Sequence, residues 1–210
     1  MMAHQQAQRA PRRERAERQR IVLDTAARLF YARGVHEVGM DELVRETGLG
    51  KATVYRLFPT KDDLVAAYLR RAAGDILDQI DAGTERAPDP ATALHAVLSS
   101  VQADLARPDF RGCAFNNASI EYADPQHPAR VAARDYRLAL HDRLHRLAVR
   151  IMPEQRDEAA ALAGQLATLV DGAYTSAAHL GPAGPAAAGM ALAHHLVDRV
   201  TTTATSTDLR

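Results

Sequence analysis

Apolar residues recur at helical spacing along almost the whole chain. Val22, Ala26 and Leu29 follow one another at i, i+4 and i+7. Leu64 and Tyr68 begin a second, longer stripe of the same kind. This spacing places each set on one face of an α-helix. Because no stretch alternates apolar and polar residues as a half-buried strand would, the pattern predicts an all-α fold of about nine helices.

Glycine and proline punctuate the pattern and set the predicted boundaries. Residues 1–13 lack apolar periodicity and are expected to be disordered or to form a basic arm. A linker is expected from Gly83 to Asp89. The predicted helices cover about 14–33, 40–47, 50–58, 60–82, 89–107, 112–122, 128–152, 154–180 and 186–201, and the Thr-rich tail beyond them should fray.

The stretch from Gly48 to Lys61 predicts a tight turn, a short helix and the start of another helix. Gly48 suits a turn that needs a positive φ, and Gly50 can cap the helix after it. Val54 and Phe58 share the inward face, while Pro59 ends the helix. Lys51, Ala52, Thr53, Tyr55 and Arg56 remain on its other faces. This arrangement is typical of a helix-turn-helix that reads DNA, although an ordinary surface helix has the same pattern.

Charge is divided unevenly between the two parts of the chain. Residues 1–61 hold twelve basic side chains, including both lysines of the protein, and seven acidic ones. The remainder holds fourteen arginines and nineteen acidic residues, so that the formal net charge of the chain is zero. A basic front and an acidic back indicate that the front meets a polyanion.

Composition excludes several other classes of protein. Apolar residues make up 47% of the 210 positions, enough for a sizeable core, but none of their runs is long enough to span a membrane. The polar, Arg-rich N-terminus is not expected to be a secretory signal. Cys113 is the single cysteine, which forbids an intrachain disulfide and suits a reducing cytosol. We therefore expect a cytoplasmic protein with no membrane contact.

The first 65 residues resemble the TetR (tetracycline-repressor) family of bacterial regulators. The resemblance covers about thirty percent of the chain in order and spacing, and the nine-helix layout suits the family's size. A second run, from Gly112 to Ala118, is similar to a segment found in one large subgroup. The residues that carry the resemblance to the family are Val22–Ala26, Leu29, Phe30, Gly34, Leu43, Thr47–Leu49, Lys51–Tyr55 and Phe58–Leu64.

The resemblance implies two domains, a DNA-binding helix-turn-helix over residues 14–62 and a helical ligand-binding and dimerisation domain over residues 63–204. It implies that the second helix of the motif meets DNA. Arg56 lies where family members often read a base. The residues expected at the DNA are Lys51, Ala52, Thr53, Tyr55, Arg56 and Lys61, with Lys51, Thr53, Tyr55 and Lys61 contacting mainly phosphates.

The chain departs from the family pattern at three places. Gly39 and Gly50 replace the Ser or Thr common near the starts of the two motif helices, which removes two hydroxyl caps. Leu57 stands where Tyr or His is frequent. Asp41 is acidic where some members place an arginine on a base. Its carboxylate could accept from a cytosine amino group, but we expect it to favour the helix N-terminus instead, because a carboxylate near phosphates is costly.

Catalytic and metal-binding motifs are not evident. His141 and His145 are spaced i, i+4, as some metal ligands are, but no HExxH or cysteine partner accompanies them. Cys113 has no resolving cysteine and is expected to be a small buried residue. With no phosphate loop, nucleophile triad or paired-carboxylate motif, we expect neither an enzyme, a cofactor nor a metal site.

Two further expectations concern residues 63–204. Small residues in the helices about 154–180 and 186–201 suit close approach, and family members pair these helices in a homodimer. Helices 5, 6 and 7 are expected to enclose a mostly apolar ligand pocket. Completing the core or capping a helix is the alternative role for each pocket candidate. Its expected wall is Leu98, Val101, Leu105, Phe115 and Tyr136, and its expected polar groups are Asn116, Asn117 and His141.

These observations predict a ligand-responsive transcriptional regulator. It would bind a pseudo-palindromic double-stranded DNA operator as a dimer, most simply as a repressor released by a small, mostly apolar effector. One alternative is an architectural DNA-binding protein without a ligand, which the apolar helices of the second domain disfavour. The other is a helical enzyme or carrier, which the charge asymmetry and the ordered motif disfavour.

Overall fold

A computed structural model describes residues 2–207, with side chains described for residues 12–202. The described residues form nine α-helices and no strand, which confirms the all-α fold. None of these helices is both long enough and apolar enough to traverse a membrane. The helices are α1 Met2–Arg33, α2 Met40–Thr47, α3 Lys51–Leu57, α4 Lys61–Arg86, α5 Pro90–Leu105, α6 Ala114–Ile120, α7 Pro128–Ile151, α8 Arg156–Leu180 and α9 Pro185–Thr207.

Three of the predicted boundaries are wrong. Helix α1 begins at Met2, so residues 2–13 are helical; they are rich in Ala, Gln and Arg, which favour helix without an apolar stripe. Helix α4 continues through Gly83 to Arg86, because one glycine inside a helix costs only about 1 kcal/mol. Helix α9 extends to Thr207, and the rest of the predicted frayed tail lies outside the described residues.

The chain divides into two compact units. Unit 1 contains residues 1–72 and 114–133, and unit 2 contains residues 73–113 and 134–210. Helix α6 and the first turns of α7 therefore belong to the same unit as the helix-turn-helix. Helices α4 and α7 each contribute residues to both units.

The core of unit 1 joins the predicted inner faces of α1 to α4. Val22, Leu43, Val54 and Leu64 are each fully buried. Burying a Val or Leu side chain contributes about 1.5–3 kcal/mol relative to leaving it exposed. These four residues therefore hold the three helices of the motif and the start of α4 together.

The core of unit 2 is built mainly on α5, α7, α8 and α9. Leu94, Leu98, Leu166 and Met190 are fully inaccessible to solvent. Helices α8 and α9 pack against each other, and α5 packs against both. Alanines such as Ala163 and Ala193 are also fully buried, which allows these helices to approach closely.

Candidate nucleic-acid interface and cavity

The turn between α2 and α3 depends on a glycine. Gly48 has φ 66°, a left-handed conformation that side chains with a Cβ rarely adopt. Thr47 supports the turn, because its Oγ1 donates to the Val44 carbonyl at 2.8 Å and accepts from the Leu49 N–H at 3.2 Å. The turn that orients α3 relative to α2 is therefore stabilised by local hydrogen bonds.

Helix α3 is anchored by two side chains and ends as predicted. Val54 is fully buried and Phe58 is 4% exposed. The Phe58 N–H donates to the Val54 carbonyl at 2.9 Å, and the chain leaves the helix at Phe58, before Pro59. As expected, Gly39 and Gly50 stand at the N-caps of α2 and α3 without a side-chain cap. The short helix is thus fixed from its inner face and not by its ends.

The outer face of α3 carries the residues that the sequence analysis assigns to DNA. Lys51, Ala52 and Arg56 are exposed, while Thr53 and Tyr55 are half-buried. Within the part of the chain that the structure describes, Arg56 has no ion-pair or hydrogen-bond partner. Its five N–H donors are therefore available to a base edge or a phosphate.

Lys51 is held by two neighbours. Its ammonium donates to Asp41 Oδ1 on α2 at 2.7 Å and lies 5.8 Å from the centroid of the Tyr55 ring. The hydrogen bond and the charge of Asp41 raise the pKa of Lys51 above its ordinary value. Asp41 lies in the first turn of α2, where the helix dipole favours a carboxylate.

A capping box begins α4 directly after the motif. Thr60 Oγ1 accepts from the Asp63 N–H at 3.0 Å, and Asp63 Oδ2 accepts from the Thr60 N–H at 3.2 Å. Lys61 follows as the first residue of the helix and is half-buried. Burial lowers the pKa of Lys61, while the charges of Glu121 and Asp62 oppose that shift.

Several arginines of the basic front are already paired within unit 1. Arg33 donates to Glu42 Oε1 at 2.6 Å, and Arg28 donates to Glu46 Oε2 at 2.9 Å. Both contacts link α1 to α2. They orient the motif helices and leave fewer unpaired guanidinium groups to meet a polyanion.

Unit 2 contains a cavity of about 400 Å³. Pockets for small molecules fall in the range of roughly 300–1,000 Å³. The wall is mostly apolar, with two tyrosine rings and a few polar groups. It is lined by Ile76, Gln79, Ile80, Val97, Ser100, Val101, Ala103, Asp104, Arg107, Tyr136, Leu140, Leu144, Val170 and Tyr174.

The polar groups of the cavity centre on Asp104. The Tyr174 hydroxyl donates to Asp104 Oδ2 at 2.8 Å, and Arg107 Nε donates to Asp104 Oδ1 at 2.7 Å. Burial and the Asp104 charge raise the pKa of Tyr174, and burial also raises the pKa of Tyr136. Both phenols therefore stay protonated at neutral pH.

The structure separates the residues that the sequence analysis assigned to a pocket. Val101 and Tyr136 line the cavity, whereas Leu98 and Leu105 lie in the core of unit 2. His141 is exposed on α7. The remaining three lie on α6 in unit 1: Phe115 is buried, Asn116 is half-buried, and Asn117 lines a small crevice with Phe30 and Tyr68.

Sequence reasoning missed Asp104 and Tyr174. One signal was present, because Asp104 follows Val97 and Val101 at i+7 and i+3 and so interrupts an apolar stripe with a carboxylate. No comparable local signal marks Tyr174, whose partner lies 70 positions earlier in the chain.

The glycine corner, the anchored short helix and its exposed basic side chains define a helix-turn-helix DNA-binding protein. The family model described as "Bacterial regulatory proteins, tetR family" matches residues 22–68. SCO4454, a TetR-family transcriptional regulator from Streptomyces coelicolor, is 33% identical, with a TM-score of 0.78 over 90% of this chain and 96% of that one. The chain belongs to the TetR family of transcriptional regulators, whose members are DNA-binding regulators and not enzymes.

Two curated relatives match over less than half of their length. The HTH-type transcriptional regulator YxaF of Bacillus subtilis is 30% identical over 85 residues, which is 40% of this chain and 44% of the relative. The HTH-type transcriptional activator FasR of Mycolicibacterium smegmatis is 29% identical over 92 residues, which is 44% of this chain and 42% of the relative. The chain thus spans under half the length of these curated relatives.

Proposed function

We propose that this protein is a homodimeric, cytoplasmic repressor that binds a pseudo-palindromic operator and is released by a small, mostly apolar effector. The observation that carries the proposal is a helix-turn-helix with a free Arg56 in the same chain as a cavity of about 400 Å³. An architectural DNA-binding protein has no need of such a cavity.

For DNA recognition, the support lies in the outer face of α3. Arg56 is exposed and has the donors to bind a base edge, and we assign phosphate contacts to the exposed Lys51 and the half-buried Lys61. Removing one phosphate-binding side chain reduces the slope of log K against log salt by about one. Removing a side chain that binds a base edge instead relaxes the preference at that one position by about 1–3 kcal/mol.

The test is a gel shift on DNA upstream of the protein's own gene. Lys61→Ala should lower the affinity for all DNA sequences alike and make that affinity less dependent on salt concentration. Arg56→Ala should relax the selectivity at one base pair. Arg150→Ala removes the same charge from an exposed site in unit 2 and serves as the matched control. If Arg56→Ala and Lys61→Ala behave like the control, α3 is not the recognition helix.

The support for dimerisation is a set of exposed small and apolar residues on α8 and α9. Their buried residues complete the core of unit 2, but a second set of small and apolar residues faces outward. The exposed members are Ala160, Ala161, Ala187, Ala188, Ala191 and Leu192. A two-fold dimer on this face would present two recognition helices to two half-sites. Analytical ultracentrifugation at micromolar concentration tests the dimer, and a lone monomer would contradict it.

The support for release of the operator by a ligand is that one helix, α4, runs from the DNA-binding motif to the cavity. Helix α4 begins at Lys61 beside the recognition helix and continues without a break to Ile76 and Ile80, which line the cavity. A ligand that shifts α4 by binding there would alter the recognition unit. A coupling free energy of about 1–3 kcal/mol changes the affinity for the operator 5–150-fold. By reciprocity, bound operator DNA must lower the affinity for the ligand by the same factor.

Activation of transcription is the alternative to repression. FasR, one of the relatives, is named as an activator. Transcription in vitro from the bound promoter, with and without the protein, decides between the two. Lower transcription with the protein supports repression, and higher transcription supports activation.

A further inference from the structure

The charges and hydrogen bonds inside the cavity indicate the chemistry of the molecule that fills it. Of the described residues that line it, Asp104 and Arg107 carry charge. Arg107 Nη1 also donates to Asp109 Oδ1 at 2.9 Å. One guanidinium is therefore shared by two carboxylates, and the local charge is negative.

Two hydroxyls of the cavity lining offer acceptors because their hydrogens are already committed, whereas the N–H donors of the lining belong to Gln79 and Arg107. The Tyr174 hydroxyl hydrogen is committed to Asp104, and the Ser100 hydroxyl hydrogen is committed to the Val97 carbonyl at 2.7 Å. Both oxygens keep lone pairs, and the Asp104 carboxylate has about four acceptor positions, of which two are filled by Tyr174 and Arg107. An occupant with N–H groups would satisfy these acceptors.

The rest of the wall suits an apolar body next to a positive head. Ile76, Ile80, Leu140 and Leu144 are aliphatic, and Tyr136 and Tyr174 contribute aromatic rings to the lining. A cation over an aromatic face is attracted by the ring quadrupole, more strongly where water is excluded.

We propose that the cavity binds an amphipathic primary or secondary amine, protonated, with its N–H groups on Asp104 and its apolar body among the aliphatic residues. This inference rests on the proposed role of the cavity as the effector site and names the class of effector.

The test is isothermal titration of the full-length protein with probes that share one apolar chain, each used below its micellar concentration. The probes are decylamine, decanol, decanoate and decyltrimethylammonium. Decylamine should bind roughly tenfold or more tightly than decanol, because a charge-assisted hydrogen bond is about twice as strong as a neutral one. Decanoate should bind most weakly. Equal affinities, a preference for decanoate, or no binding by any probe would overturn the proposal.

The quaternary probe separates charge from hydrogen bonding. Decyltrimethylammonium has the charge without an N–H and should bind more weakly than decylamine. If it binds equally well, the assignment of N–H donors to Asp104 is wrong.

Two matched variants locate the head group. Asp104→Asn should remove the preference for decylamine over decanol, while Asp157→Asn removes the same charge at an exposed residue outside the cavity lining and should keep it. If Asp104→Asn retains the preference, the amine does not meet Asp104. Should that variant fold poorly in circular dichroism, the probe series on the unmodified protein still decides the proposal.

A gel shift with operator DNA distinguishes this inference from the proposed function. If decylamine binds selectively but leaves operator affinity unchanged, the cavity chemistry stands and the regulatory role of the cavity fails. If a non-amine metabolite fills the cavity and releases the operator while amines do not bind, the regulatory role stands and the amine proposal fails.

Discussion

Glu121 holds His36 by both its backbone and its ring. Glu121 Oε2 accepts the His36 N–H at 2.7 Å and lies 2.6 Å from His36 Nδ1, while Oε1 accepts the Val35 N–H at 2.9 Å. Gly34, just before them, has φ 93° and leaves room for the carboxylate. One side chain after α6 thereby satisfies the backbone that follows α1, within unit 1.

We predict that Glu121→Gln lowers the stability of the protein by about 1–3 kcal/mol, because an amide cannot accept at both positions and a half-buried N–H loses its partner. Urea unfolding followed by circular dichroism measures the change. Glu154→Gln, at an exposed position before α8, is the control and should have almost no effect. Equal stability of the two variants would contradict the role assigned to Glu121.

The same interaction predicts a dependence on acid. Burial alone would raise the pKa of Glu121, but the hydrogen bonds from Val35 and His36 outweigh it and lower that pKa below 4.5. A carboxylate with a lowered folded pKa contributes stability above the unfolded value and loses it as pH falls through the folded one. Stability measured between pH 5 and about pH 3 should fall less steeply in Glu121→Gln. An unchanged slope would show that Glu121 does not titrate in this way.

The Asp41–Lys51 pair leads to a prediction for DNA binding. Asp41→Asn should raise affinity for DNA of any sequence by roughly two- to tenfold at low salt, because it frees Lys51 and removes a carboxylate from a surface that meets phosphates. The gain should shrink at high salt, where exposed charges are screened. Asp24→Asn, on α1, removes the same charge and should change affinity less. A fall in affinity for one operator position alone would instead indicate that Asp41 reads a base.

A histidine pair between α5 and α9 predicts a second pH effect. His95 Nδ1 lies 2.7 Å from His194 Nδ1, His95 Nε2 lies 3.1 Å from Asp198, and His194 Nε2 lies 3.1 Å from Gln102 Oε1. A hydrogen bond between the two Nδ1 atoms requires that one of them lacks a hydrogen, so the contact is lost when both rings are doubly protonated. Burial, with a smaller effect from His95, lowers the pKa of His194 below its ordinary 6.5.

Because the folded protein disfavours a proton on His194, stability should decline as pH falls below 6.5. Thermal melts from about pH 7.5 to pH 5 measure this decline. His194→Gln should flatten the curve, whereas His179→Gln, an exposed histidine on α8, should leave it unchanged. A curve that keeps its slope without His194 would exclude this pair as its source.

Leu192 offers a test of the proposed dimer face. It is 48% exposed on α9, and Leu138 on α7 is 62% exposed. We expect Leu192→Glu to weaken the dimer at least tenfold, because it places a charge in an apolar contact. Leu138→Glu adds the same charge elsewhere and should leave the dimer intact. Sedimentation velocity over a range of concentrations compares them, and the reverse order would move the interface to α7.

The sequence by itself determined the helices and the DNA-reading motif. Both depend on local chemistry: Gly48 sets the turn, Val54 and Phe58 set the inner face of α3, Pro59 ends it, and Thr60 caps α4. These interactions join residues a few positions apart, so they can be read from spacing alone. The start of α1 at Met2 was not predicted, because residues that favour a helix without an apolar stripe leave no periodic pattern.

Only the tertiary structure decided which residues line the cavity and which residues belong to unit 1. Helical periodicity tells which face of a helix is buried but not which other helix covers it. Phe115 and Asn117 were therefore grouped with Val101, yet the fold carries them into unit 1 and brings Tyr174 to Asp104 instead. The hydrogen bond between Glu121 and the backbone of His36 spans 85 positions and involves no side-chain pattern at the backbone end, so only the packed chain reveals it.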